Sequence, residues 1–218
     1  MPDTPDPEQH RLLGGRLCLD FTNTLGGRGS AATEEYLQNY DALVRWARHA
    51  GALPAERAAR LRRVAEYGPE EAREVLRRAL ALREALFAVF AAAARGEAAP
   101  ARDLALVNRE LGEAMRRARL LPEGVGGYRW EWPEDDSAGA GGSAKGTLES
   151  VLWPIVRSAA DLLTAPELAQ VRVCPGVNCG WLFLDTSKNH RRQWCSMEGC
   201  GNRAKARRHY ARQRSSRE

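Results

Sequence analysis

The sequence predicts a mainly α protein of the α+β class, and three observations predict it. Apolar residues recur at helical spacing through most of the first 165 residues. Two short segments alternate apolar and polar residues instead, as strands do. The last quarter holds four cysteines in two close pairs, followed by a basic, helix-prone run. These features divide the chain into a multihelical N-terminal domain with a small β element, residues 11–165, and a compact cysteine module, residues 170–215.

Each element has a local reason. In Leu17-Cys18-Leu19-Asp20-Phe21 the alternation puts Leu17, Leu19 and Phe21 on one face of a short strand. Asn39 reads as a helix N-cap with Asp41 in the first turn, and Leu43, Trp46, Ala47 and Ala50 form the apolar stripe up to Gly51. Pro54 and Pro69 sit where first helical residues belong, and the second opens the longest helix, to about Arg95. Pro100 opens another, through Leu104, Val107 and Leu111. Gly127–Trp132 reads as a second strand, expected to pair with the one near Leu17. Residues 134–146, rich in Gly, Ala and Ser, read as a mobile loop. Thr147 reads as the cap of a helix through Leu162, with Pro154 kinking it or marking its effective start. Thr164-Ala165-Pro166-Glu167 has the pattern of a capping box.

Composition narrows the function classes. An apolar fraction of 44% is that of a globular protein. No apolar run is long enough for a bilayer, and the acidic, proline-rich start does not resemble a signal peptide. The expectation is a cytoplasmic protein without membrane contact, whose cysteines stay reduced and favour metal over disulfides. The net charge of +5 is unevenly spread: residues 171–218 carry +8, which leaves −3 for the first 170. A basic excess confined to one module points to a polyanion partner.

Cys174, Cys179, Cys195 and Cys200 form two C-x4-C pairs. Four thiolates at such spacing suit a closed, structural zinc site, with an iron–sulfur cluster and a thiol redox switch as the alternatives. Trp181, Phe183 and Trp194 are expected to pack around it, and Gly201 to let the backbone come close to the metal loop. The expected shape is a treble-clef-like finger whose core is separate from that of the helical domain. On a helical wheel beyond Cys200, Arg203, Arg207 and Arg214 fall together, and Lys205, Arg208 and Arg212 form a second stripe. Ala206, His209, Tyr210 and Gln213 are left to face the module. The expected contacts to double-stranded DNA are therefore Arg203, Lys205, Arg207, Arg208 and Arg212, flanked by Arg191 and Arg192. Arg203 and Arg207 are the candidates for base-edge reading. In the N-terminal domain no phosphate loop, nucleophile elbow or HExxH motif occurs. Arg16, Asp20 and Asn23, polar residues near glycine loops, are the candidate ligand-binding set there. Cys18 reads as a small buried residue.

The string Trp194-Cys195-Ser196-Met197-Glu198-Gly199-Cys200-Gly201-Asn202-Arg203-Ala204-Lys205 resembles the CGNR zinc-finger family, named for the tetrapeptide at Cys200–Arg203. Cys174, Cys179, the run Trp181–Asp185 and Arg191-Arg192 fit the same pattern. Residues Gly14–Asn23, the Leu43/Trp46 helix and Leu152-Trp153-Pro154 resemble the ABATE domain that typically precedes that finger. The resemblance implies a bacterial, zinc-binding, DNA-binding transcription regulator responsive to stress. It leaves open a small-molecule effector and a homodimer. The alternative reading is an enzyme or ligand-binding protein with its site in the helical domain and the finger as a structural, RNA-binding or protein-interaction module.

Overall fold

The computed structural model describes residues 5–28, 30, 33–133 and 147–215. A short 3-10 turn, Pro7–Gln9, leads to α1 (Leu17–Thr22), then the minimal pair β1 (Leu25–Gly26) and β2 (Glu34–Glu35). Four helices come next: α2 (Tyr40–His49), α3 (Ala55–Tyr67), α4 (Pro69–Ala94) and α5 (Ala101–Arg117). A hairpin, β3 (Arg119–Glu123) and β4 (Gly127–Glu131), precedes α6 (Trp153–Leu163). The chain ends in a second hairpin, β5 (Val171–Val173) and β6 (Leu182–Leu184), and in α7 (Asn202–Ser215). The expected loop over residues 134–146 lies outside the described residues.

The 26-residue α4 is the central pillar. Val75, Ala79, Leu82, Leu86 and Phe90 are buried along it, and α1, α2, α3, α5, β5 and β6 all pack against it. Its stripe is rich in alanine, which brings neighbouring backbones close and keeps helix propensity high. Asn39 caps α2 as its sequence suggests, its side-chain oxygen accepting the Ala42 N–H at 2.8 Å. That bond satisfies one of the donors left open at any helix start. Pro69 sits in the first turn of α4, whereas Pro54 and Pro100 are the residues just before theirs.

Four expectations fail for identifiable reasons. Residues Leu17–Thr22 form a helix, not a strand. The apparent alternation is false, because the even positions are buried as well: Cys18 is fully covered, and the Asp20 carboxylate turns inward to accept the Gly14 N–H at 2.7 Å. β4 is a strand, but its partner is β3, in register from Arg119↔Glu131 to Glu123↔Gly127. Gly124 and Gly126 take the left-handed conformation (φ 62° and 80°), so a local turn closes this hairpin with far less loop entropy than a pairing across the chain. Thr164 does not act as a helix cap. Its hydroxyl donates back to the Ala160 and Asp161 carbonyls, and it is Ala165 that precedes the 3-10 turn Pro166–Gln170. By contrast, one of the two readings of Pro154 holds: it marks the effective start of the helix, at Trp153-Pro154, after a separate 3-10 turn, Glu149–Val151.

The fourth failure matters most for function. The first core does not stop at residue 165: Val171, Leu182 and Leu184 of β5 and β6 belong to it, packed with α1 and α4. Only Phe183, the cysteines and the half-buried Trp181 and Trp194 form a second cluster. The finger's hairpin presents one face to each core, since successive side chains of a strand point to opposite sides.

Candidate metal centre and basic helix

β5 delivers Cys174. Its N–H donates to the Trp181 carbonyl at 2.8 Å, which extends the β5–β6 ladder to the first ligand. The Cys179 N–H closes a tight turn onto the Gly176 carbonyl at 3.0 Å. A Cβ at Gly176 would lie 2.7 Å from the Cys200 sulfur, so only glycine lets the two ligand loops approach this closely. Gly201 plays the lesser part: a Cβ there would meet the flexible Met197 side chain and the edge of Trp194.

After β6 the backbone is organised by Asp185, which is fully buried. One carboxylate oxygen accepts the Ser187 N–H and hydroxyl at 3.0 and 2.6 Å, and the other accepts the Arg192 N–H at 3.0 Å. Burial pushes its pKa up, but these donors outweigh burial and hold the carboxyl below its ordinary range. The Arg192 guanidinium lies over the Phe183 ring at 4.6 Å and donates to the Trp194 and Cys195 carbonyls. Arg192 is therefore committed to shaping the second ligand loop. Cys195 comes next, and its N–H points at the Cys174 sulfur at 3.4 Å. Ser196 caps the turn Met197–Gly201, which carries Cys200, and α7 begins at the next residue.

The four Sγ atoms lie within 4.8 Å of one another, with Cys179–Cys195 at 3.6 Å and Cys195–Cys200 at 3.7 Å. No disulfide joins them. A tetrahedral ion bound at about 2.3 Å holds its sulfurs about 3.8 Å apart, so the donor set has the size, chemistry and closure of a zinc site. Hydrogen bonds from Cys179 and Cys195 push the Cys174 thiol down, while the same contacts push those two donors up. Thiols crowded this closely cannot all ionise alone, and a divalent ion compensates their charge and displaces their protons. Zinc here supplies a crosslink between the hairpin and α7; with four protein ligands its shell has no place for substrate.

α7 carries no acidic residue. Of its first turns only Ala204 is buried; every residue from Lys205 to Gln213 is exposed. This corrects the wheel-based expectation that Ala206, His209, Tyr210 and Gln213 face the module. The helix leans on the finger at its first turn alone, and Gln213 bonds His209 on its own surface. Lys205, Arg207, Arg208 and Arg212 stand on the exposed part, and Arg191 is exposed on the preceding loop. Arg203 differs: its guanidinium donates to the Cys200 sulfur at 3.1 Å.

The candidate ligand set of the N-terminal domain is divided among separate contacts. Arg16 lies 3.7 Å from Glu167 on the surface. Asp20 is spent on Gly14, and burial raises its pKa to about 6. Asn23, fully buried, uses both ends of its amide on one residue of the finger: Oδ1 accepts the Leu182 N–H and Nδ2 donates to the Leu182 carbonyl, each at 2.8 Å. Beside it the His10 Nε2–H donates to the Asn23 carbonyl at 3.0 Å, and Nδ1 accepts from the Trp46 indole. The His10 ring packs against Trp181 and Tyr36, and burial lowers its pKa to about 4. A cleft of about 390 Å3 does open nearby, between the two parts of the chain. Arg11, Glu34 and Tyr36 line one wall, and Trp181, Ser196 and Arg203 the other.

Sequence reasoning missed Asp185, Arg192 and Arg203 as builders of the site, and Asn23 and His10 as its anchors. The run Trp181–Asp185 held the one usable signal, an acid directly after an apolar strand. Nothing in local sequence connects Asn23 to a strand 159 residues away.

Comparison with protein families bears on the whole arrangement. Residues 15–166 match the ABATE family, described as "Putative stress-induced transcription regulator", and residues 170–213 match the CGNR zinc finger. A search of curated proteins finds no significant match. Among the described residues no helix is long and apolar enough to cross a membrane. With its helical body covered by the first family and its four clustered thiols by the second, the chain belongs to the ABATE family and carries a C-terminal CGNR zinc finger.

Proposed function

We propose that the protein is a zinc-dependent transcription regulator that binds double-stranded DNA through α7. The observation that carries this reading is the exposure of Lys205–Gln213, a helix face of like charges with no acid along it. Such a helix repels itself, and a polyanion relieves the repulsion while releasing counterions. Family membership supports the regulatory part. The contact set is narrower than the sequence suggests. Lys205, Arg207, Arg208 and Arg212 face the duplex, with Arg191 as a flanking phosphate contact, whereas Arg192 and Arg203 serve the finger. Ala211, not the buried Ala204, leaves room for close approach to a groove. One such helix reads few base pairs, so useful specificity takes two chains on two half-sites.

The test selects genomic fragments bound by the zinc-loaded protein and titrates one by fluorescence anisotropy at several salt concentrations. Affinity falls steeply with salt, by about 0.9 log unit per tenfold change in salt for each phosphate contacted. Replacing Lys205, Arg207 and Arg208 together by alanine abolishes binding at unchanged zinc content. Full affinity in that triple variant removes α7 from the mechanism and favours a protein-interaction finger.

The cleft between the two parts favours one addition, a small effector held between Tyr36 and Trp181. An effector found by thermal-shift screening loses its effect in Tyr36→Ala if it binds there.

A further inference from the structure

Four thiolates around a divalent ion leave a net charge of −2 in a largely buried cluster, which needs compensation from the surrounding protein. The backbone contributes N–H groups, those of Cys195 and Gly176 to the Cys174 sulfur and that of Trp181 to the Cys179 sulfur. The Cys200 sulfur receives its donor from a side chain, and that donor is a full cation. Arg203 lies three residues beyond Cys200 at the start of α7, and its Nη2 lies 3.1 Å from the Cys200 Sγ. Helical side chains lean toward the N-terminus over the residue three or four positions earlier, so this spacing directs the guanidinium to the sulfur. Arg203 is itself exposed, and the lean brings its guanidinium back toward the cleft wall beside Ser196 rather than outward with Lys205, Arg207 and Arg208.

We infer that Arg203 is a positioning residue of the metal centre: its guanidinium is the charge-compensating N–H···S donor to the Cys200 thiolate, not a nucleic-acid contact. The contact acts in three ways. It lowers the net charge of the cluster, so four thiolates tolerate one another. It fixes the χ angles of Cys200, the ligand whose backbone starts α7. It also draws electron density from that sulfur, which weakens it as a nucleophile. Partners that orient metal ligands in this way are worth 10–100-fold in metal affinity. Lysine is a poor substitute because its ammonium is a compact, strongly hydrated charge without the planar fork. The inference rests on the zinc site alone and holds whatever α7 binds.

Zinc affinity of the full-length protein, measured by chelator competition, gives the primary readout. Arg203→Met keeps the aliphatic stem and removes both charge and donor; it binds zinc at least tenfold more weakly, whereas Arg207→Met matches the unmodified protein. Cobalt substitution adds a readout that a merely structural role would not move. Loss of an N–H···S bond raises the energy of the sulfur lone pair, so the thiolate-to-cobalt charge-transfer band shifts to longer wavelength in Arg203→Met and not in Arg207→Met. Should Arg203→Met not fold, Arg203→Gln, also uncharged but polar, decides by the same two measurements. Zinc affinity within twofold of the unmodified protein, together with an unshifted cobalt band, overturns the inference.

Discussion

The hairpin half of the finger and its helical half meet at the same four sulfurs, yet different forces hold them. β5 and β6 insert Val171, Leu182 and Leu184 into the large core, and Asn23 grips the Leu182 backbone from the body. α7 has no such anchorage. Ala204 is its only buried residue among those from Asn202 to Gln213, and the helix stands on Cys200 and the turn that carries it. The hydrophobic effect and buried hydrogen bonds thus secure one half, and metal–sulfur bonds would secure the other. A small module does not need a core of its own when it can lend one face to a neighbour's.

Five experiments break or sharpen this contrast. The largest effects come from removing the metal or the whole finger. Cys200→Ser, or strong chelation, removes about 10 kcal/mol of zinc binding energy and with it the start of α7. Amide exchange accelerates to the unprotected rate across residues 202–215, while β5, β6 and α4 stay protected. If the hairpin exchanges as fast as the helix, the two halves share one source of stability. Removing the whole finger instead, by ending the chain at residue 165, strips Val171, Leu182 and Leu184 from the core. The melting temperature falls further than in Cys200→Ser.

Asn23→Ala is next. It leaves the buried N–H and carbonyl of Leu182 unsatisfied at a cost of about 3 kcal/mol. Denaturant titration measures that loss, and zinc affinity stays near the original because no sulfur moves.

Acidity probes the seam at about 2 kcal/mol. The folded protein depresses His10 from an ordinary 6.5 to about 4, so its share of stability is complete above pH 6.5 and is lost as pH falls toward 4. Asp20 is raised from 3.8 to about 6, so it subtracts stability above pH 6 and relieves that cost over the same descent. The two nearly cancel between pH 6 and 4. His10→Gln becomes more stable as pH falls through that window, and Asp20→Asn becomes less so; identical pH profiles for the two variants contradict the assignment.

The smallest effects lie on the exposed helix. Arg207→Ala costs about 1–3 kcal/mol of DNA binding and relaxes specificity at one base pair, while Arg191→Ala weakens all sequences alike and reduces the salt slope by about one. Neither variant changes the melting temperature, because neither side chain is buried.

The ease with which the sequence reveals each part tracks the range of the forces involved. The α2 cap, the α4 stripe and the paired cysteines are local patterns, visible within a few residues of themselves. The α1 segment misleads because burial on all sides erases the polar face by which a helix shows its period: Cys18 and Asp20 are as covered as Leu19 and Phe21. The orientation of α7 is invisible for the opposite reason. Among polar residues no stripe marks the side that rests on the protein, and one alanine decides it. Asn23 and Leu182 combine the two difficulties, since an ordinary polar residue meets backbone atoms that carry no sequence signature at all. Arg203 is legible in the sequence only as positive charge; the three-residue spacing that aims it at Cys200 acquires meaning once the helix is known to begin between them.

The double amide contact at Leu182 has one more consequence. It leaves the molecule without a joint between body and finger, since the seven residues from Thr164 to Gln170 are taken up by a turn and a packed 3-10 segment. Proteins that carry DNA-reading modules on loose tethers search with the module and drag the body behind. Here a helix about 21 Å long is a spoke fixed to its hub. Two such hubs held together would present their spokes at one distance and one relative angle, and the spacing of any paired target would be dictated by the body rather than by the finger. Moving one half-site around the duplex by half a helical turn would then cost as much as erasing it.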